Sequence, residues 1–578
     1  MNRNTQAHFS SLPTIDINRS RFDRSHSHKT TFSSGKLIPI YYEEVLPGDT
    51  ITMDTSVVCR MSTPIFPVMD NCNLDVYYFF VPNRLVWNHW EEFCGEDTTT
   101  SWETPVNYQI PQTHPFDEDG NFKKWAFFDG TLADYFGLPT SNIEKQDGNI
   151  FNHDFSVSSL PFRAYYKIWN EYFRAQAIQD SVYFPTDDSD SYILKPNSIA
   201  TSYVNNAYQE LRLMPVDKYH DYFTSCLPTP QKGQPVLLPL GTQAPVRTSP
   251  NDVVDLKFTN YDKMRNYVVK GWQCSFGPED EGVPYKGDIA YVGNSNNQDL
   301  NEYTNFVPTN MYADLSSATA STINDLRNAI TIQHFMEMQA RGGSRYTEII
   351  KTFFGVSSPD ARLQRPEYLG GKSIPINVDQ VVQTSSVEGQ PSPLGSTSAF
   401  SLTGDNSNSF TYSSTEHGMI IGLCCVRPQH TYQQGIEKKW LRKQRYDFYY
   451  PVFANISEQP VYLKELYASY SPKGEPNSEP DKVFGYQEAW ADYRYSNNKV
   501  TGGFRNSYID SLSAWHYADF YTTEPTLSDS WIKEDPALIE RTLAYQANDD
   551  VQFLADFYFN SIWTRPMPIY SVPGLTRI

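Results

Sequence analysis

The chain has 578 residues, 47 Lys and Arg against 67 Asp and Glu, a formal charge of -20, and 15% aromatic residues that include 40 Tyr. Its length suits two or three ordinary domains, or one β domain with very large insertions. The acidic balance excludes a surface that binds nucleic acid throughout, because phosphate recognition needs clustered Lys and Arg.

Residues 1–35 are polar, carry Arg3, Arg19, Arg21 and Arg24, and lack an apolar run, so they read as an extended arm without a targeting segment. His26 and His28 would share one face of an extended chain, the start of a metal site. Two ligands without a third point instead to hydrogen bonding or docking of the arm. Leu46-Pro47-Gly48-Asp49 is a turn signal. The branched and aromatic residues of 49–61 and 73–81 predict two strands, bounded by Pro64, Pro67 and Pro82. Loop chemistry fills 96–160.

From 162 to 180 the period changes: Phe162, Tyr165, Tyr166, Trp169, Tyr172 and Phe173 fall on one helix face. Residues 233–315 hold many turn formers and no sustained period, which predicts an exposed insertion. A second helix is expected over 322–341, stopped by Gly342-Gly343. Arg341, Arg345, Arg362 and Arg365 frame Gly- and Pro-rich turns and read as structural anchors.

Strand-like segments return after Gly371: SIPINVDQVVQTS, MIIGLCCVRP, RYDFYYPVFANI and QPVYLKELY. The run GMIIGLCCV is too short to span a bilayer and suits a buried strand. A last helix is expected over 535–546. The seven cysteines include no C-x-x-C pair, so free buried thiols are expected rather than zinc or a redox motif. Gly371-Lys372-Ser373 ends like a phosphate-binding loop, but Pro366 stands where its first glycine belongs.

The one basic cluster beside an aromatic is EKKWLRKQR, with Lys438, Lys439, Trp440, Arg442, Lys443 and Arg445. An aromatic among cations suits a stacked base with phosphate contacts. It equally suits a salt-bridged subunit interface or a core Trp flanked by snorkelling charges.

The opening HSHKTTFSSGKLIPIYYEEVLPGDT, with LPFRAYYKIWNEYFRAQ, RLQRPEYLGG, EHGMIIGL and FGYQEAWADYRY in that order, resembles the major capsid proteins of the Microviridae, gokushovirus branch, over most of 26–550. The resemblance implies a mainly β fold, a viral eight-stranded jelly-roll β-sandwich with long, partly helical insertions. One jelly-roll domain would span 36–578, with helical segments at 161–180 and 321–355 and the 233–315 insertion as a threefold protrusion. It implies a structural protein without catalytic residues or cofactor, assembled in the host bacterial cytoplasm into a T=1 virion shell around circular single-stranded DNA. Its implied partners are other copies of itself, the DNA genome, a small basic DNA-binding protein, other virion proteins and a bacterial surface receptor. The competing reading is a secreted polysaccharide-active β-sandwich enzyme, since aromatic platforms and paired carboxylates suit sugars. It lacks a signal peptide and names no carboxylate pair.

Overall fold

The computed structural model describes residues 18–96, 108–117, 125–140, 155–194, 206–234, 323–343, 345–357, 359–360, 364–384, 397–468, 482–544 and 551–570, isolated positions, and the backbone of short strands between 246 and 313. Contacts along the chain divide it into two units, 1–232 with 337–578, and 233–336.

The first unit is built on long antiparallel strands. These are β1 (Ser20–Asp23), β2 (His26–Phe32), β3 (Ile38–Val45), β4 (Thr50–Met61), β5 (Cys72–Pro82), β6 (Glu367–Pro375), β7 (Val378–Val382), β8 (Thr397–Ser401), β9 (Thr403–Ser413), β10 (Gly418–Pro428) and, after shorter strands that include β11 (Gln459–Tyr462) and β12 (Val483–Gln487), β13 (Phe553–Arg565). One sheet runs β2-β13-β4-β9, with β1 also paired to β13; the other runs β6-β5-β10-β3. The first and last of these strands are neighbours, and the chain crosses from one sheet to the other between β2 and β5 and again around β9 and β10, as in an antiparallel β-sandwich with insertions.

Composition separates the two sheets. In β4, Ile51, Met53, Val57, Cys59 and Met61 are buried while Asp54, Val58 and Arg60 between them face outward. This period of two marks a sheet with one solvated face. β10 has no such alternation, because helix α1 (Leu160–Ile168) and the wide turn Trp169–Phe173 after it cover the outer face of its sheet. Tyr165 donates to the Leu37 carbonyl at 2.8 Å, and the rings of Tyr172 and Phe173 lie 4.7 and 6.1 Å from Phe79. Across the sandwich the hydroxyls of Thr55 and Tyr78 meet at 2.6 Å.

The expected turn before β4 is present, with the Asp49 N–H donating to the Leu46 carbonyl at 3.0 Å. Residues 20–32, within the segment read as an arm, are extended strands along β13, and Phe32 is fully buried. The helix read over 162–180 ends early: Arg174 turns extended and its N–H reaches the Trp169 carbonyl at 3.0 Å. Helix α2 (Ile323–Gly342) matches its expected bounds, and α3 (Tyr346–Phe354) follows. The segment RYDFYYPVFANI is not a strand. It forms two tight turns, Arg445–Asp447 and Pro451–Phe453, because the Asp447 carboxylate accepts the N–H groups of Lys443 and Gln444 at 2.7 Å and Pro451 offers no donor. QPVYLKELY splits into β11 (Gln459–Tyr462) and one helical turn, Leu463–Leu466, where Glu465 accepts the Tyr462 N–H at 3.0 Å. β11 pairs with β12 (Val483–Gln487). Of the last expected helix, only Ala537–Glu540 is helical, and 545–550 lie outside the described residues.

Cys59, Cys72, Cys226, Cys424 and Cys425 are buried and free, and burial pushes the Cys59 thiol up to about 12. In the second unit, 246–248 pairs with 311–313, and 256–259 lies between 267–269 and 305–308.

A second, smaller core holds Tyr222, Phe223, Tyr432, Val461, Leu466, Phe484 and Trp531. Between the two cores lies His430, with Nδ1 2.9 Å from Asp519 Oδ2 and Nε2 2.8 Å from Glu534 Oε2. Two carboxylate acceptors require both nitrogens to carry protons. Burial disfavours the charge, but the Glu534 and Asp519 carboxylates outweigh it and raise the imidazole to about 10.

Two predictions follow from this packing. A Cβ at Gly422 would lie 2.7 Å from Tyr78 Cε1 and 2.8 Å from Tyr41 Cβ. Gly422→Ala should therefore cost about 1–3 kcal/mol as overpacking, seen as a lower denaturation midpoint. Because the folded His430 pKa is raised, its contribution is complete below the ordinary imidazole value of about 6.5 and is lost as pH climbs from there through about 10. The Tm difference between wild type and His430→Gln should shrink across that window; a gap independent of pH would refute the charged imidazole.

Candidate functional site

The segment after β10 is fixed before its basic residues begin. Gln434 exchanges two hydrogen bonds with the backbone of Tyr521, at 2.8 and 2.6 Å. Gly435 passes so close to the Glu465 carbonyl that a Cβ would sit 1.8 Å from it, so only glycine allows the crossing. Lys438–Leu441 then makes one helical turn.

The structure divides the sequence-predicted residues by their partners. Lys439 and Lys499 both pair with Glu437, at 2.7 and 2.5 Å. Partial burial works against the Glu437 carboxylate, yet those two ammonium groups hold it below its usual range. Lys438 Nζ lies 3.5 Å from the Pro460 carbonyl. Arg442 pairs with Asp492, both side chains nearly buried, and its guanidinium lies over the rings of Tyr493 at 4.3 Å and Phe448 at 5.5 Å. Among the described residues, Lys443 and Arg445 have no carboxylate within ion-pair distance, and Arg445 lies over the Tyr450 ring at 6.0 Å. Trp440 is 75% exposed, so the core-Trp reading of this position does not hold.

Beneath Lys438 a cavity of about 90 Å³ is lined by Tyr222, Phe223, Glu437, Glu465 and Asp492 among others. Burial pushes the Glu465 carboxyl up. Glu437 and Asp492 offset Lys439 and Arg442 and so reduce the positive charge that the run offers to phosphate.

Sequence reasoning missed what surrounds the basic run. Tyr446, Phe448, Tyr449 and Tyr450 are exposed, and Tyr493 and Tyr495 from a distant segment join them. Tyr449 lies 5.7 Å from Trp490, whose Nε1 donates to the Phe453 carbonyl at 3.0 Å. The available signal was the absence of strand alternation in RYDFYYPVF, together with Pro451 inside it.

The remaining candidates are structural. His26 stacks on Tyr41 at 5.6 Å and bonds the Arg24 carbonyl through Nδ1 at 3.0 Å. No group of three or more His, Cys, Asp or Glu is arranged to hold a metal among the described residues. Arg341 pairs with Glu458, Arg345 reaches Glu348 and the Arg174 carbonyl, and Arg365 pairs with Asp360; Arg362 lies outside the described residues. An open groove of about 680 Å³ on the outer sheet face contains Asp134 and Asp556. Asp134 accepts the Gly130 N–H at 2.8 Å and Asp556 faces Lys29 at 3.5 Å. No described helix is long and apolar enough to cross a membrane.

A sandwich whose loops outweigh its strands, with an exposed aromatic surface as its most distinctive feature, defines a structural protein specialised for contact. The phage capsid protein (F protein) family matches residues 10–575. Capsid protein VP1 of Spiroplasma virus 4 is 42% identical, covering 100% of this chain and 99% of the relative. The VP1 proteins of Chlamydia phage 1 and Bdellovibrio phage phiMH2K are 39% and 38% identical, each covering 99% of this chain and 98% of the relative. The chain belongs to this capsid protein family, and these relatives come from gokushoviruses of the Microviridae. It is a structural component of the virion, not the polysaccharide-active enzyme that its aromatic and acidic content also suggested.

Arg442 holds the aromatic surface together through charge and ring contacts at once. Arg442→Ala leaves Asp492 without its cation, and Arg442→Lys loses the planar stacking. Chymotrypsin should cut at Phe448–Tyr450 about tenfold faster in Arg442→Ala, equivalent to ~1.4 kcal/mol of local opening, while the global Tm changes little.

Proposed function

We propose that copies of this chain close into a T=1 icosahedral shell around a circular single-stranded DNA genome. The observation that carries this reading is the similarity to three VP1 capsid proteins along the whole chain, with no part left unmatched for another activity. Heterologous contacts of one chain close into rings when the rotation per contact closes, which lets a single sequence build a shell. The sandwich, which takes in the strands Ser20–Asp23 and His26–Phe32 of the segment read as an arm, is the unit of this assembly. The insertion at about 233–315 forms the protrusion at the threefold axes and meets the bacterial surface receptor. A chain of charge -20 packages DNA with a small basic DNA-binding protein that neutralises phosphate for it. Lys438, Lys439, Trp440, Arg442, Lys443 and Arg445 belong to a contact surface of the shell, facing DNA or another copy.

Electron microscopy of purified particles, with nuclease digestion of the nucleic acid they carry, tests the proposal. Closed shells of T=1 size holding protected single-stranded DNA are expected when the genome and the other virion proteins are supplied. Persistent small oligomers under those conditions would rule it out.

A further inference from the structure

Residues 443–456 run across the surface in tight turns with nearly every side chain outward. Tyr446, Phe448, Tyr449, Tyr450 and Val452 are 40–88% exposed, and Trp440 adds to them. Three of them are joined through rings: Tyr446 and Tyr450 lie 6.2 and 6.1 Å from Phe453, Phe453 lies 6.5 Å from Trp490, and Tyr449 bridges Trp490 to Tyr493, while Phe448 shares the Arg442 guanidinium with Tyr493 and Val452 adjoins Phe453 in the chain. Monomeric proteins rarely expose a connected apolar patch beyond a few hundred Å². Side chains that bury roughly 150–250 Å² each when covered, exposed to these fractions, leave about 700 Å² for a partner. A stable complex uses about 800 Å² per partner.

Resting on the shell reading above, we infer that this aromatic arm docks on a second copy of the chain. A protein occupant fits better than a DNA strand because the cations flanking Trp440 are engaged within the chain, which leaves only Lys443 and Arg445 for phosphate against a larger area of exposed rings. Lys439 pairs with Glu437, Arg442 is nearly buried against Asp492, and carboxylates line the cavity beneath Lys438. Aromatic residues and Arg with few free charges are the composition of an interface centre. Charge complementarity supplies the rest. Lys443 and Arg445 make no ion pair among the described residues, although Asp447 accepts the Lys443 N–H; the chain as a whole carries 20 more acidic than basic residues, so a neighbouring copy offers carboxylates to both.

The test uses full-length protein carrying Tyr446→Ser and Val452→Asp together. Both side chains are largely exposed, so an unchanged Tm verifies folding. Sedimentation and electron microscopy across a concentration series should show that the variant needs at least 100-fold more protein to assemble than wild type. Independently of folding, a photo-crosslinking amino acid in place of Val452 should join two copies in assembled material. Assembly of the double variant at wild-type concentration, or crosslinks only to nucleic acid, would overturn the inference; normal shells with less protected DNA would assign the surface to DNA. Wild-type oligomers that never close but dissolve in the double variant would uphold the docking surface and refute the shell. Wild type that never self-associates would refute both.

Discussion

Strand β10 is paired along both edges, with β5 on one side and β3 on the other, and all its side chains except that of Arg427 are buried. Such a strand exists only if something covers both faces of its sheet. The inner cover is the other sheet, brought close by Thr55 and Tyr78. The outer cover is α1 and the wide turn after it, which come from the long connection between β5 and β6. The segment 160–173 is therefore part of the core, and the sandwich could not be cut free of it without exposing the apolar outer face of β5 and β10.

From that packing follows the division of labour along the chain. The sheet β2-β13-β4-β9 keeps a solvated outer face, so its sequence alternates between buried and exposed positions. The covered sheet fixes where β10 ends, and residues just past it carry His430, which ties Asp519 and Glu534 together between the two cores. A buried imidazolium with two carboxylates satisfies both of its nitrogens but makes the junction sensitive to loss of any member. The smaller core beyond it supports the loop on which the basic and aromatic residues are displayed.

On that display, ring surface outweighs free charge. Ion pairs within the chain engage Lys439 and Arg442, two of the five cations of the basic run, and beside them the loop exposes aromatic surface. A coat protein has reason to tolerate such a surface: exposure that would be an aggregation hazard in a monomer becomes an interface once copies meet in fixed geometry.

The sequence alone determined the family, the turn Leu46–Asp49, the strands at 49–61 and 73–81, the buried run of β10 and the helix Ile323–Gly342, because each rests on local periodicity, turn chemistry or long shared words. It misjudged RYDFYYPVF as a strand, since aromatic richness signals either a strand or an exposed contact surface, and only the presence or absence of an opposing strand separates them. It named the six residues of the basic run but not their roles, because the pairing of Arg442 with Asp492 and the stacking on Tyr493 come from positions that only folding brings near. Tertiary structure also decided that the last part of the presumed arm is strand. Residues 20–32 are too polar to announce a core of their own, and their pairing partner β13 lies more than 500 residues away in sequence, beyond the reach of any local pattern.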